Sequence, residues 1–290
     1  MRIAVLGATG TIGRALLPLL ANEHDVLAIS RRPHGQPNGV RWAQADVSDT
    51  ASVQKAFEGI DVAYYLVHSL GSSDFAQRDR LAASVVARVA EDAGLRRLVY
   101  LGGLGDQSPE LSPHLRSRAE TAKVLASGSV PVTTLRAAMV IGAGSAAFET
   151  IVALVDRLPG MICPRWFSTP TQPIALADVT AYLAVAAGHE QMLGESFDVG
   201  GPDVMTYRDM IERIAAIRGK RPLIVEVPAL TPRLSSYWLN LVTPVRASVA
   251  RPLIEGLRNA TVVKDDRLLR LVQLRLSPFD DAARAALAAR

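Results

Sequence analysis

The apolar positions of the first half alternate between two spacings. Short, almost continuous apolar runs rich in β-branched residues fall at Ile3–Leu6, Val26–Ile29, Val62–Val67, Leu98–Leu101 and Val132–Leu135. Runs of that length suit strands buried on both faces of a parallel sheet. Between them, Ile12–Ala21, Ala51–Glu58, Phe75–Ala93 and Arg116–Ala126 repeat apolar residues at helical period. Strand, helix, strand in that order demands crossover connections and puts helices on both faces of the sheet. The pattern predicts an α/β fold with a doubly wound parallel sheet.

After Ile141 the pattern loosens. Gly142–Ser145 and Pro159-Gly160 interrupt it, and two prolines and the pair Trp166-Phe167 fall within Arg165–Pro173. Helical spacing returns at Asp178–Ala187, followed by a short strand, Ser196–Val199, and the punctuation Gly200-Gly201-Pro202. Thr206 with Asp209 three residues on reads as a shorter-armed capping box that starts another helix. Leu223–Val227 reads as a strand, Pro228–Pro252 mixes prolines with large apolar residues, and Asp280–Arg290 reads as a terminal helix. Residues 1–143, rejoined by 174–200, are therefore expected to form the sheet domain. Residues 144–173 and 201–290 are expected to form a small substrate-binding lid region and the C-terminal helix.

Composition narrows the function classes. The chain has 290 residues, 49% hydrophobic and 21% charged, which excludes a disordered or fibrous protein. Its net charge is only +4, and the arginines are scattered, so nucleic acid is not an expected partner. The opening MRIAVLGATG has no signal-peptide pattern, and no apolar run reaches a membrane span. One cysteine, Cys163, excludes an internal disulfide and fits a reducing, cytoplasmic setting. His24, His34 and His189 lack ligand spacing, so no metal is expected. The expected partner is a small hydrophobic substrate, and the expected assembly a monomer or homodimer.

The sharpest motif is Gly7-Ala-Thr-Gly10-Thr-Ile-Gly13, between the first strand and the first helix. One glycine permits the abrupt turn, a second lets a diphosphate approach the backbone, and a third lets helix pack on strand. The helix N-terminus then presents N–H groups and a positive dipole end to phosphate. The Gly-x-x-Gly-x-x-Gly spacing resembles that of the short-chain dehydrogenase/reductase superfamily, in its extended or atypical branches. Further segments are similar to that superfamily: Asp46-Val47, Leu66-Val-His68, Val132–Arg136 with Val140–Gly142, and Pro173–Val179. Tyr65–Ser69, Leu101–Gly103 and Thr169–Pro173 look most like its atypical NAD(P)-binding subgroup. The resemblance covers roughly the whole chain and implies a Rossmann-type fold. It also implies cofactor contacts from Gly7, Thr9, Gly10, Thr11, Ile12, Gly13, Ser30, Arg31, Arg32, Asp46, Val47, Leu66, Val67, His68, Gly102, Arg118 and Met139.

The second strand ends Ile29-Ser30-Arg31-Arg32. Sites that prefer NAD usually place a carboxylate there for the ribose 2′-OH. Serine followed by two guanidiniums instead suits a 2′-phosphate, so NADP(H) is expected, the alternative being that Arg31 and Arg32 are simply a solvated loop.

The resemblance also brings a departure. The superfamily's usual serine is replaced after the fifth strand by Gly102-Gly103, and His114 and Arg118 stand where its tyrosine and lysine would be. Four residues apart, they share a helix face. Histidine can serve as a general acid near neutral pH; Arg118 can hold a ribose hydroxyl or a substrate anion. His68 is a second candidate for the same cleft, and each of the two histidines is alternatively a loop or surface residue. Phe148, Ile151, Leu154, Met161, Trp166, Phe167, Tyr237 and Trp238, with Arg165 among them, either line a hydrophobic substrate pocket or form the lid's own core. The expected function is NADP(H)-dependent reduction of a small hydrophobic carbonyl or conjugated alkene by an atypical short-chain dehydrogenase/reductase. The alternatives are a catalytically inactive NADP(H)-binding sensor or scaffold, and a non-redox isomerase or lyase.

Overall fold

In the computed structural model, the described residues are 1–32, 40–72, 74–105, 111–227 and 255–290, with the side chains at 162–166 and 226–227 excepted. Seven parallel strands form the central sheet. In chain order they are β1 (Arg2–Leu6), β2 (Asp25–Ser30), β3 (Val40–Gln44), β4 (Val62–Tyr65), β5 (Arg97–Gly103), β6 (Val132–Ala137) and the later Ser196–Val199. Across the sheet the order is β3, β2, β1, β4, β5, β6, Ser196–Val199, so the winding reverses between β1 and β4. In sheets of this kind ligands bind outside the C-terminal strand ends at that reversal. The expected doubly wound, Rossmann-type sheet is what the chain forms, with Ser196–Val199 returning to its edge.

Helices α1 (Thr11–Ala21), α2 (Thr50–Ala56), α3 (Phe75–Asp92) and α4 (Pro113–Leu125) connect these strands. The periodicity starts the fourth helix at Arg116, whereas the structure starts it three residues earlier. Ser112 caps it by accepting from the Leu115 N–H at 3.3 Å, and Pro113 occupies the first turn. That position tolerates proline because its N–H has no intrahelical partner anyway. The earlier start places His114 inside α4.

Alternation along β4 shows how the sheet is buried on both sides. Tyr64 belongs to the core shared with α1, and Tyr65 to the core shared with α3; both are fully buried. The Tyr64 hydroxyl donates to the Leu183 carbonyl at 2.7 Å, so its polar end is satisfied in an otherwise apolar layer.

The second half adds short strands β7 (Val140–Ile141), β8 (Gly160–Pro164), β9 (Pro170–Thr171) and β10 (Ile174–Ala175) before β11 (Ser196–Val199). β12 (Met205–Thr206) and β13 (Leu223–Val227) follow; β13 pairs in parallel with β8 and lies outside the main sheet. Its helices are α5 (Ala146–Arg157), α6 (Leu176–Ala186), α7 (Tyr207–Ile217), α8 (Arg267–Leu271) and α9 (Phe279–Ala288). α5, α7 and α9 enclose a third apolar core that includes Phe148, Ile151, Leu154, Met161, Met210 and Ile214. The capping box at Thr206 forms as expected: the Thr206 hydroxyl accepts from the Asp209 N–H at 3.1 Å and the Asp209 carboxylate from the Thr206 N–H at 2.8 Å.

Two carboxylates tie the C-terminal segment to the body. Asp198, paired with Arg136 at 2.6 Å, accepts from the backbone N–H groups of Lys264 and Asp265. Asp178 accepts from the Ser277 N–H at 2.7 Å and from its hydroxyl at 3.1 Å.

Of the two readings of the apolar residues after Phe148, four residues follow the packing one. Phe148 is 0% exposed and Met161 3%, with Ile151 and Leu154 below a tenth. Phe167 packs partly buried against the same core. The expectations placed on Arg165, Trp166, Tyr237 and Trp238 lie outside the described residues or side chains. A Phe148→Ala substitution is therefore expected to cost about 3–5 kcal/mol in denaturant-measured stability, with little change in cofactor affinity. A stable variant with a selective loss of ligand affinity would return Phe148 to the pocket wall.

Candidate cofactor and active site

The site starts where β1 stops. Gly7 has φ +84°, in the left-handed region, and a Cβ there would lie 2.8 Å from the Leu66 carbonyl oxygen at the end of β4. A Cβ on Gly13 would lie 2.5 Å from the Gly7 oxygen and 2.8 Å from the Ala8 Cα. Both contacts are with backbone, so no side chain is accommodated without moving β1, β4 or α1. Gly10 differs: its Cβ would meet only the Gly7 oxygen at 3.2 Å, on an exposed stretch that includes Thr9. Gly10 caps α1 without any side-chain acceptor, and no acidic residue lies in the first turn. The first N–H groups and the dipole end are thus left without a side-chain partner, an arrangement that suits an anion. The Thr11 hydroxyl bonds the Gly144 carbonyl at 2.8 Å, joining this turn to the loop before α5.

From this turn a cleft of about 310 Å³ runs across the β1–β4 reversal. Gly7, Gly10, Thr11, Ile12 and Gly13 line one part of it. Leu66, His68, Gly102, His114, Arg118 and Met139 line the rest. Two segments far apart in sequence, the stretch that follows β4 and the helix α4, thereby bring both histidines and the arginine to one place.

Ser30, Arg31, Arg32, Asp46 and Val47 gather beside the cleft, at the C-terminal ends of β2 and β3. Ser30 pairs in register with Gln44, and the Ala45 N–H bonds the Ser30 carbonyl at 3.2 Å. The Ser30 side chain is buried with its Oγ lacking a partner, while Arg31 and Arg32 are exposed. Asp46 accepts from the Ser48 hydroxyl and N–H, and these bonds, with a smaller contribution from Arg31, hold its carboxyl below the usual range. Val47 packs against the core under β3, and Val67 against the same core beyond β4. A nucleotide with its diphosphate at Gly10 and its nicotinamide toward His114 fits these features. The supporting observations are the uncapped helix end, the tight glycine turn and the orphaned Ser30 hydroxyl.

Arg118 is held on two sides. One of its amino groups donates to the Leu101 carbonyl, and the guanidinium lies 4.9 Å from the centre of the Tyr100 ring. Its aliphatic stem passes 3.7 Å from where a Gly103 Cβ would stand, and that Cβ would press on Leu115 at 2.9 Å. Glycine in place of the superfamily's serine lets α4 settle closely on the end of β5.

Charge in the cleft differs from the sequence expectation. Burial, then the charge of Arg118, then His68, push the His114 imidazole down to about 3. Burial and Arg118 push His68 down to about 4. His68 is accessible to solvent on the cleft wall, yet its ring is crowded by protein on its other sides. Both rings are therefore neutral at pH 7, not the titrating acids that an unperturbed histidine would be.

Sequence reasoning missed the far wall of the cleft: Tyr207, Leu257, Thr261 and Ser145. Tyr207 is the first residue of α7, where a capping box but no chemical motif was visible. Its hydroxyl bonds with Thr171 and Thr261, whose own hydroxyls lie 2.7 Å apart, and burial raises its pKa.

The comparisons with known proteins agree with this geometry. A reductase of (4-alkanoyl-5-oxo-2,5-dihydrofuran-3-yl)methyl phosphate from Streptomyces griseus is 28% identical, covering 77% of this chain and 76% of its own. An uncharacterised protein of Mycobacterium tuberculosis is also 28% identical over 82% of this chain, which spans only 25% of that protein. Among solved structures, triphenylmethane reductase from Citrobacter with NADP(H) superposes with a TM-score of 0.78 at 19% identity, covering 99% of this chain and 100% of that one. An NADPH-dependent quinone oxidoreductase from Escherichia coli with NADPH gives a TM-score of 0.76 at 20% identity, covering 97% of this chain and 98% of that one. The NAD(P)H-binding family model matches residues 7–152, which include the glycine turn, His68, His114 and Arg118. The chain belongs to that NAD(P)H-binding family.

Proposed function

We propose that this protein is an NADP(H)-dependent reductase of a small hydrophobic carbonyl or conjugated alkene. The observation that carries the proposal is the convergence of His68, His114 and Arg118 on the cleft that begins at the glycine turn. Holding the nucleotide would use Arg118 on a ribose hydroxyl, and two histidines beside it add hydrogen-bond donors that a reacting substrate oxygen can use. The reduction named for the Streptomyces relative, and the dye and quinone reduction named for the structural neighbours, supports the same reading.

When bound, the nicotinamide supplies hydride; the residues do the rest. The uncapped N-terminus of α1 holds the diphosphate, and Arg31 and Arg32 take the 2′-phosphate that a carboxylate after β2 would repel. Leu66, Leu101 and Met139 give the nicotinamide end apolar walls that exclude water. His114, being neutral, acts as a hydrogen-bond donor to the substrate oxygen on which negative charge develops, and Arg118 stabilises that charge. The proton that completes the reduction comes from solvent.

The NADP(H) assignment predicts tighter binding of NADPH than NADH by calorimetric titration. Replacing both Arg31 and Arg32 by alanine is expected to remove most of that preference. Equal affinity for the two cofactors in the unsubstituted protein would overturn it.

Gly10→Val is expected to leave a folded protein that no longer binds NADPH, because its Cβ meets only one backbone atom while its methyl groups occupy the phosphate position. Normal binding by fluorescence titration would show that the turn is not the diphosphate site.

His114→Phe is expected to slow reduction of a neutral enone or quinone by roughly 10²–10³-fold, the effect of losing one donor to a developing oxyanion. A pKa near 3 leaves this imidazole neutral throughout the working range. The wild-type kcat/KM for a neutral substrate should therefore stay level between about pH 5.5 and 8, with no fall near the ordinary histidine pKa of about 6.5. A step there would show that the ring acts as an imidazolium. NADPH bound tightly with no acceptor ever reduced would favour the sensor or scaffold instead.

A further inference from the structure

We infer that the nicotinamide end of the cleft is a seat for an anionic group carried by the substrate, a carboxylate or a phosphate monoester, made by Arg118 together with His68 and His114. The inference rests on the reductase reading and names the class of substrate that this site takes.

Arg118 is the only ionised residue lining the cleft among the described residues, and the lining contains no aspartate or glutamate. Among the described residues, no carboxylate lies within salt-bridge distance of its guanidinium. One amino group is committed to the Leu101 carbonyl and one face to Tyr100, while Nη1 is buried with no partner. Arg118 is half-buried, and the Asp79 carboxylate, which feels its charge, is pushed by burial toward its neutral form, so the cation gains from an added anion. The cofactor's own anionic groups have other seats, the diphosphate at the α1 turn and the 2′-phosphate at Arg31 and Arg32. A neutral carbonyl would accept a hydrogen bond but leave the charge unmatched.

The histidines point the same way. Arg118 helps to depress both imidazoles, and His68 also depresses His114, so all three side chains share one electrostatic field. An anion placed among them cancels that field and favours protonation of the rings, which then become charged donors to it. Binding should therefore take up protons and tighten as pH falls.

The other groups around this cluster are Asp79 on α3, Tyr65 on β4 and Tyr100 on β5. Burial raises the pKa of both tyrosines, so they stay neutral. Burial also raises Asp79, which Arg118 lowers in turn; an anion competing for Arg118 would push Asp79 up and add to the proton uptake. On the opposite wall Tyr207 and Thr261 contribute only uncharged hydroxyls.

The test is calorimetric titration of the NADP⁺-loaded protein with hexanoate, hexyl phosphate and 1-hexanol, at pH 6.0 and 8.0 and in two buffers of different ionisation enthalpy. At least one anion is expected to bind about tenfold or more tightly than hexanol, the least that one charged hydrogen bond supplies. Its affinity should rise at pH 6.0, with net proton uptake. Whichever of the two anions is preferred identifies the substrate's group. Arg118→Met should abolish the advantage, Arg118→Lys should keep part of it, and the paired substitutions His68→Gln and His114→Gln should reduce the uptake. Asp79→Asn isolates that residue's share. Thermal unfolding midpoints establish that each variant is folded; a misfolded Arg118→Met leaves the lysine and histidine variants to decide. Hexanol binding as well as both anions would overturn the inference, as would an anion advantage that survives in folded Arg118→Met. Titrating the cofactor-free protein in parallel separates the two ideas: anion preference without any NADPH binding would sink the reductase reading and leave the anion seat standing.

Discussion

No side chain fits where α1 leaves β1, and the site depends on that close approach. The Gly13 Cα sits so near the Gly7 carbonyl that an added methyl carbon would overlap it at 2.5 Å. Gly7 is itself pressed against the end of β4. These contacts fix the first turn of α1 directly over the point where the sheet reverses its winding. The helix dipole, the unpaired N–H groups and the cleft then coincide. With a wider junction, phosphate would meet side chains before it met backbone.

A second close approach sets the chemistry. Gly102 and Gly103 end β5 without side chains, and α4 lies near enough for the Arg118 stem to cover Gly103. Tyr100, fully buried one turn of the pleat earlier, supports the guanidinium from below and returns a hydrogen bond at 3.1 Å to the Arg118 carbonyl. Losing the superfamily's serine and gaining a rigid arginine are thus one packing arrangement. The consequence appears in the histidines, whose charged forms are suppressed first by desolvation and then by the cation beside them. Because the fold favours their neutral forms, the two rings also oppose folding in acid. Their contribution is fully present above the unfolded pKa of about 6.5 and is lost as pH falls toward 3–4.

The chemistry-bearing residues sit on the sheet half of the molecule, while the cleft's far wall comes from the second half. α5, α7 and α9 spend their large apolar residues on their own core, while Tyr207 at the start of α7 and Thr261, in the segment before α8, reach the cleft through a hydroxyl cluster. Asp178, in the segment that resembles the superfamily's conserved aspartate pattern, bonds the backbone at Ser277 and anchors the C-terminal segment, and takes no place in the cleft.

The sequence by itself determined the parallel sheet, its crossover helices and the nucleotide turn, because each rests on local spacing: continuous apolar runs, 3.6-residue periodicity, and glycines three apart between a strand and a helix. The resemblance to the short-chain dehydrogenase/reductase superfamily also implied one cleft for His68, His114 and Arg118, and the four-residue spacing put the last two on one helix face. Boundaries were less legible. Ser112 and Pro113 start α4 through a cap that apolar periodicity does not register. Tertiary structure alone decided which apolar residues became core, because Phe148 and Met161 look the same in sequence whether they face α7 or a substrate. It alone decided the protonation of His114, which depends on burial and on an arginine one helical turn away. It alone brought Tyr207 and Thr261 to the cleft, since that wall is made by residues 54 apart that meet only when the chain returns through Thr171.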